Sequence, residues 1–281
     1  MTLLLAVISH LGWAIGDVFV VAASRKMGTL PMTFWSLVFA FVVYTLFLPF
    51  FWQDFLKLNT ILLGIIVLLS LILMCGHAAF YKAMQIGNPG LIGIISASFA
   101  AVSVILSLIF LGETLSFEKG ALIILIFSGV FLCFVNNNFK FEWGRGELLA
   151  LIPMIGWGIY YAFIKPIVAI VGWYVPIYIF LATFPLIALI AFRQRKTLAV
   201  RLDNSLLFIF IASVVLTGIA EASYNIAVQT GNVSFVAPIA GSYPALFVAI
   251  SAMVFKERMH GIQWIGVGMA VVGIIVLGFQ A

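Results

Sequence analysis

Apolar residues along this chain form runs of about twenty positions that are apolar on every side, separated by short polar stretches. Neither the alternation of a half-buried strand nor the single apolar stripe of a surface helix describes these runs. Their length matches that of an α-helix crossing about 30 Å of hydrocarbon. Ten helical spans are predicted, at residues 3–22, 32–52, 60–84, 90–111, 118–136, 147–168, 173–192, 205–229, 232–255 and 261–279. The expected fold is all-α, a polytopic membrane protein of ten transmembrane helices.

The composition agrees with a lipid environment. Of the 281 residues 65% are hydrophobic and 8% are charged, whereas soluble domains carry about 25% charged residues. The first run lacks the basic segment and small-residue cleavage site of a signal peptide, so we interpret it as the first span. Cys75 and Cys133 both lie in apolar runs and predict no disulfide framework.

The sequence repeats itself at an offset of 144 residues. The stretch "HAAFYKAMQIGN" at 77–88 aligns with "EASYNIAVQTGN" at 221–232, with five identities in twelve positions. The same offset relates Glu113 to Glu257. One ungapped offset that joins both ends of each half indicates duplication of the whole unit.

The duplication predicts two halves of five spans, at residues 1–137 and 138–281, that form one transport domain. Because five is odd, the second half enters the membrane from the opposite face, which gives an inverted repeat. Secondary transporters use this arrangement and bind substrate near the midplane between the halves. A duplication that merely enlarged a helical bundle is the alternative.

These features resemble the drug/metabolite transporter superfamily, EamA type. The resemblance rests on the two five-span halves, on "GW" at 12–13 and 156–157, on A-x-Q-x-G-N closing spans three and eight, and on "LGE" and "FKE" closing spans four and nine. It covers essentially the full chain. It implies a bacterial inner-membrane carrier of small metabolites, often an exporter. No substrate follows, because the family spans amino acids, nucleotide derivatives, sugars and drugs.

The basic residues leave the orientation open. Most of the 14 lysines and arginines, Arg25, Lys26 and Arg193 among them, fall in cytoplasmic loops if both termini lie outside. The positive-inside rule favours that orientation, whereas the resemblance favours cytoplasmic termini. Loop placement accounts for the net charge of +5 without a nucleic-acid partner. The sequence does not indicate an oligomeric state.

Two acidic residues, Asp17 and Glu221, lie within predicted spans. An ionised carboxylate inside the bilayer is costly, so such a residue usually faces a partner or a wet cavity. We expect Glu221 to carry a proton or to bind an amine, with a hydrogen bond between helices as the alternative. Asp17 is expected either to join this pathway or to form a salt bridge, with Arg25 or Lys26 at the interface or with a lysine across the bundle.

His77 is the repeat mate of Glu221, and the two are expected near pseudo-symmetric positions around a central cavity. A histidine there could share a proton with Glu221, although packing is the commoner role of a lone histidine. Lys82 would attract a substrate carboxylate if it faced the cavity and would otherwise snorkel from its helix end. His10 and Lys165 are interpreted as packing or snorkelling residues.

Several aromatic and amide side chains within the spans are expected to line the substrate pathway. Such groups give a pocket an apolar body and a few placed polar tips, although each one would equally serve plain packing. The candidates are Trp13, Trp157, Tyr81, Asn225, Tyr160 and Tyr243, and Tyr161 adds a further hydroxyl within a span.

Other residues are expected to be structural. Gly12 and Gly16 form a G-x-x-x-G pattern for close helix approach. Pro238 and Pro244 free backbone carbonyls in span nine, and because span four has no matching prolines, the halves are expected to bend differently. Glu113 and Glu257 each end a span, and we expect them to accept hydrogen bonds from the amides that open the following helix.

The leading hypothesis is therefore a proton-coupled secondary transporter, an exporter of an amino acid or a related amphipathic metabolite. A passive facilitator is the alternative. The sequence contains no phosphate-binding loop, no metal-ligand spacing and no cofactor motif. An intramembrane enzyme is disfavoured because H-E-x-x-H and G-x-S-x-G motifs are missing from the sequence.

Overall fold

The computed structural model describes residues 1–86, 89–133, 144–201, 203–255 and 260–279. These residues are almost entirely helical, and no strand occurs among them. The helices are α1 (Thr2–Met27), α2 (Thr29–Phe55), α3 (Thr60–Ile86), α4 (Pro89–Ala97), α5 (Phe99–Phe110), α6 (Phe117–Cys133), α7 (Arg145–Val171), α8 (Tyr174–Leu181), α9 (Phe184–Arg193), α10 (Asn204–Thr230), α11 (Val233–Gly241), α12 (Tyr243–Phe255) and α13 (Gly261–Phe279).

The all-helical membrane fold expected from the apolar runs is confirmed. In the described part of the chain, eight helical segments are long and apolar enough to cross a bilayer. The apolar helix at Ile95–Phe110 is shorter than these, and α6 ends at Cys133, where the described residues stop. The structure thus supports eight of the ten predicted spans by length.

Two predicted spans break at matching positions. Span four divides into α4 and α5 at Ser98, and span nine divides into α11 and α12 at its repeat mate Ser242. At both breaks the backbone uses tighter bonds to the third residue back, from Ser98 N to Ile95 O at 3.2 Å and from Ala245 N to Ser242 O at 3.1 Å. The prolines of span nine therefore do not distinguish the two halves in the position of this break, because span four divides at the matching residue without them.

A third predicted span divides into α8 and α9 around Thr183. The Thr183 hydroxyl donates to the carbonyl of Phe180 at 2.7 Å, and Pro185 has no amide hydrogen to continue the helical bonds. The repeat mate of Thr183 is Phe39, which lies inside the unbroken helix α2. The two halves therefore differ at this span.

The helices of the two halves interlock in pairs related by the repeat. The first span of each half packs along the third span of the other, α1 on α10 and α7 on α3. The fifth spans, α6 and α13, pack on each other, and α5 packs on α11. The interior of the protein therefore lies between the halves.

Glycines allow the closest of these approaches. A Cβ atom added at Gly12 would lie 2.8 Å from Cβ of Ala220, and one at Gly16 would lie 2.8 Å from Cγ2 of Thr217. Gly156, the mate of Gly12, faces Ile72 of α3 in the same way. The G-x-x-x-G pattern thus lies at the contact between α1 and α10.

Candidate functional site

Glu221 lies in the interior, between α7 and α10. It is nine residues before Thr230, the last residue of α10, which places it about 14 Å inside that helix end. The hydroxyl of Tyr161 donates to Glu221 Oε2 at 3.0 Å. The amide Nδ2 of Asn225 donates to Glu221 Oε1 at 3.3 Å and to its backbone carbonyl at 2.9 Å. The carboxyl group is thus held by two neutral donors.

Two buried polar atoms near this carboxyl group, the hydroxyl of Tyr160 and the side-chain oxygen of Asn225, lack hydrogen-bond partners. Tyr160 and Asn225 are 1% and 0% exposed. The Tyr160 hydroxyl faces Glu221 and Asn225, but neither that hydroxyl nor Asn225 Oδ1 has a partner in hydrogen-bonding geometry. Buried polar groups nearly always have partners, so these two atoms have spare capacity to hydrogen-bond a water molecule or a substrate group.

Trp13 connects this cluster to the other half of the protein. Its ring lies 5.4 Å from Tyr161, 5.7 Å from Tyr224 and 5.6 Å from Tyr243, measured between ring centroids. Tyr224 also donates its hydroxyl to the backbone carbonyl of Tyr161 at 3.1 Å. One tryptophan of α1 therefore contacts rings of three helices, α7, α10 and α12.

Asp17 lies one turn further along α1 than Trp13 and interacts with the hydroxyl of Tyr243. In the described part of the chain neither Asp17 nor Glu221 is ion-paired with a lysine or arginine. The salt bridge from Asp17 to Arg25 or Lys26 is therefore not formed. Both acids instead face tyrosine hydroxyls around Trp13.

His77 lies on the far side of the same interior. Its Nδ1 atom is 2.9 Å from the carbonyl of Leu73 on its own helix, and its ring lies 5.1 Å from Trp157. Trp157 contacts Phe99 at 5.9 Å, and Phe99 contacts Tyr161 at 5.2 Å. A series of aromatic rings thus connects His77 to the tyrosine that binds its mate Glu221.

The structure separates other candidates from this cluster. Lys82 is exposed near the end of α3, as a snorkelling lysine would be. Pro238 lies inside α11, and Pro244 lies in the first turn of α12, just after the break at Ser242. Glu257 and the side chain of Tyr81 lie outside the described residues.

Glu113 has a different partner from the one expected. Its carboxylate accepts hydrogen bonds from the backbone amides of Val233 at 2.8 Å and Ser234 at 2.7 Å, which open α11 in the other half. Lys165 Nζ binds Glu113 Oε1 at 2.6 Å and Asn232 Oδ1 at 3.1 Å. The assignment of Glu113 to the following helix, α6, is therefore wrong, because the interlocked halves bring the start of α11 closer.

These partners also set the ionisation of Glu113. Burial raises the pKa of this carboxyl group, but the bonds from Lys165, Ser234 and Val233 outweigh burial and hold the pKa below its ordinary value. Glu113 is therefore a carboxylate at neutral pH, and its charge is matched by Lys165 and by the positive end of the α11 dipole.

His10 makes a contact that sequence reasoning missed. The ring is 7% exposed, and Nδ1 lies 3.0 Å from the carbonyl of Ile239 and 3.2 Å from the hydroxyl of Ser242. It therefore holds the break between α11 and α12 from α1. Its repeat mate is Met154, whose thioether is a weak acceptor and cannot donate a hydrogen bond. This difference between the repeat mates is the sequence feature from which the contact of His10 could have been predicted.

The comparisons with known proteins agree with this architecture. A solved structure, described only as a crystal structure of a protein, matches with a TM-score of 0.81 over 100% of this chain and 97% of its own, at 17% identity. At that identity the match shows the fold alone. A comparison with curated proteins gives no match. The model of the EamA-like transporter family matches residues 1–135 and again residues 144–279. The chain therefore belongs to the EamA-like transporter family, as its sequence pattern predicted.

Proposed function

We propose that this chain is a secondary active transporter that exports a small amphipathic metabolite, such as an amino acid, in exchange for protons carried by Glu221. Membership in a family of small-molecule membrane transporters is the starting point. The observation that carries the proposal is the Glu221 carboxyl group, which lies deep in the bundle with neutral donors and no cationic partner among the described residues.

An unpaired carboxyl group can change its charge during a transport cycle. A lysine or arginine beside Glu221 would hold it ionised in every state, whereas tyrosine hydroxyls and an amide can bind both its charged and its neutral form. Acidic residues inside membrane spans are typical of proton relays and substrate pathways. Glu221 is accordingly the residue to which we assign coupling.

The rings around Trp13 support a small amphipathic substrate. Trp13, Tyr161, Tyr224 and Tyr243 offer apolar faces, and the tyrosines add polar tips. An ammonium group could bind at Glu221 and against the aromatic faces, while the rest of the substrate packs on the rings. Asn225 Oδ1 and the Tyr160 hydroxyl provide two further hydrogen-bonding atoms.

The pairing of helices supports alternating access. With ten spans in two inverted halves, 1–137 and 138–281, each half would present the same surfaces to opposite sides of a bacterial inner membrane. The interlocked contacts of α1 with α10 and of α7 with α3 let one half rock against the other around a fixed central site.

Counterflow in proteoliposomes tests this function. The vesicles would be preloaded with pooled amino acids, nucleosides or amines, and uptake of the radiolabelled compound would be recorded together with lumenal pH. Wild type is expected to show saturable uptake that moves protons, and Glu221→Gln to lose the proton movement. Glu147→Gln is the matched control, because that buried glutamate binds the backbone amide of Gly144 at the start of α7.

Each outcome bears on a different part of the proposal. Proton movement that persists in Glu221→Gln would remove Glu221 from coupling. Uptake that does not saturate and moves no protons in wild type would indicate a passive facilitator. If Glu147→Gln and Glu221→Gln lost proton movement equally, the loss would be a general effect of removing a buried carboxylate.

A further inference from the structure

We propose that Glu113, Lys165 and the first turn of α11 form a gate, and that the structure is the state in which this gate is closed. The proposal rests on alternating access, as put forward above, but not on the identity of the coupling ion. It assigns gating roles to two residues that the sequence placed outside the transport pathway.

The gate lies on the face of the protein where the start of α1 meets the end of α13, called here the terminal face. Leu3 of α1 packs against Gly278 of α13 there, and the hydroxyls of Thr2 and Thr230 lie 3.2 Å apart. Lys165, near the end of α7, and Asn232, before α11, meet on the same face. This is the face at which α1 and α11 begin and α5, α7 and α10 end.

Glu113 is the centre of the gate because one carboxylate joins three elements. It lies in the connection after α5 and binds both α7, through Lys165, and the first two amides of α11. Its side chain is 3% exposed, while that of Lys165 is 26% exposed. A buried, charge-assisted network of this kind is stronger than an exposed ion pair.

Core packing shows that the terminal face is closed. The largest cluster of buried side chains fills the half of the bundle beside it, including Ala6 of α1, Leu69 of α3, Val168 of α7, Val228 of α10 and Val236 of α11. These five helices therefore share one continuous core beneath the gate. A substrate near Trp13 could leave towards this face only if that core separated.

On the opposite face the buried side chains divide into separate groups. Ala23 of α1 packs with Met32 of α2 and Phe210 of α10. Ala83 of α3 packs with Ile92 of α4 and Ala150 of α7. Within the described residues these two groups do not merge into one core there, as the helices do at the terminal face.

The repeat shows why the two faces are not equivalent. The mate of Lys165 is Val21, which offers no charge, and the mate of Val233 is Pro89, which has no amide hydrogen. A gate built from the mates of this one would thus lack the ammonium group and one of the two amides. The groups that could close the two faces therefore differ.

The break at Ser242 gives the gate a part that can move. Helix α11 is a nine-residue segment whose far end is held by His10 and whose near end is held by Glu113. Releasing Glu113 would free the near end to move about the break while α12 stays packed on α13. The gate would then open by tilting α11 away from α7.

Cysteine accessibility tests the gate directly. Ser234→Cys places a thiol behind Glu113, at a position 3% exposed. It keeps the backbone amide that Glu113 binds and loses the hydroxyl that also interacts with Glu113, so every variant is compared in this same background. The exposed native Cys75 would be replaced, and the buried Cys133 kept as an indicator of unfolding. In permeabilised proteoliposomes, adding Lys165→Met is expected to speed the reaction of the introduced thiol with a membrane-impermeant maleimide about tenfold.

Matched variants separate the gate from a general loss of charge. Lys165→Arg keeps a cation and is expected to label at nearly the rate of the unaltered gate, whereas Glu113→Gln is expected to label faster than Lys165→Met, because it weakens the amide bonds as well. Lys57→Met removes an ion pair of the same length, 2.6 Å, to Asp54. That pair lies at the end of a single helix, so its removal should leave labelling of the introduced thiol unchanged.

The results distinguish this proposal from the proposed function. Equal labelling in Lys165→Met and Lys57→Met, or labelling of Cys133 together with the introduced thiol, would overturn the gate and leave proton coupling by Glu221 unaffected. Faster labelling of the introduced thiol alone would establish the gate, even if Glu221→Gln still moved protons.

Discussion

At the scale of single residues, the interior of this protein is organised around one carboxyl group. Glu221 is bound by Tyr161 and Asn225, and the unpartnered Tyr160 hydroxyl faces it. The sequence singled out each of these, but it named Tyr161 only as a hydroxyl within a span and gave the pathway role to its neighbour Tyr160. Adjacent helical residues point in different directions, so only the packing decides which of two tyrosines reaches the carboxyl group.

Removing the Glu221 carboxyl group should destabilise the protein more than neutralising it. In Glu221→Ala the Tyr161 hydroxyl loses its acceptor, and the Asn225 amide keeps only its bond to the backbone carbonyl of residue 221. This loss is expected to cost about 1–3 kcal/mol of unfolding free energy. Glu221→Gln keeps an acceptor and should lose less. Thermal unfolding of both variants in one detergent measures the difference, and equal melting temperatures would show that these bonds contribute nothing.

At the scale of elements, broken helices and close glycine contacts decide how the spans fit together. Two serine mates break spans four and nine alike, whereas Thr183 and Pro185 break span seven without a counterpart in α2. Pro238 and Pro244 marked span nine as irregular, but continuous hydrophobicity concealed the breaks in spans four and seven, because an apolar run looks the same whether its helix is straight or divided. The glycine spacing of α1, by contrast, predicted a close helix contact, although it did not predict that the partner is α10.

That contact can be tested with two alanine substitutions. Gly12→Ala would bring a methyl group to 2.8 Å from Cβ of Ala220, and such overpacking is expected to cost about 1–3 kcal/mol. Gly218→Ala on α10 meets no atom within 4 Å and should be neutral or stabilising by up to about 1 kcal/mol, because alanine favours helix. If the melting temperature fell equally in both variants, the close approach of α1 to α10 would be contradicted.

At the scale of the whole molecule, charged groups at the terminal face connect the two halves. Glu113 belongs to the first half, and Lys165, Val233 and Ser234 belong to the second. The sequence correctly marked Glu113 as an acceptor for helix amides but assigned it to the wrong helix. The nearest helix along the chain was chosen, while the fold brings the start of α11 from 120 residues away.

This connection predicts a pH dependence of stability. The pKa of Glu113 is lower in the folded protein than its ordinary value, because Lys165 and the two amides outweigh burial. Its stabilisation is therefore complete above the unfolded pKa of about 4.3 and disappears as the pH falls through the folded pKa. The difference in melting temperature between wild type and Glu113→Gln should be constant near neutral pH and shrink in acid.

A second acidic residue at the same face provides the control. Asp54 also pairs with a lysine, but in a more exposed position, so Asp54→Asn should show a much smaller difference from wild type at every pH. A wild-type advantage over Glu113→Gln that grew on acidification would contradict the expected sign of the pH dependence.

The sequence by itself determined the class of this protein, its family and its duplication. Unsatisfied backbone groups leave only helices and closed barrels in lipid, and the runs are too long and too uniformly apolar for barrel strands, so they are membrane helices. A constant offset of 144 residues carries the repeat, and the scarcity of ionisable residues along each span marks Asp17, His77 and Glu221 as unusual. These properties are local or periodic, so they can be recognised from the sequence alone.

Only the tertiary structure decided which residues meet. It placed Trp13 among three tyrosines, set His10 against the break in span nine, left Lys82 exposed and joined Glu113 to Lys165 across the halves. Each of these contacts depends on the rotation and depth of helices that are distant in sequence. Spans that are apolar on all sides carry no stripe from which a rotation could be derived, so the facing residues become known only when the helices pack.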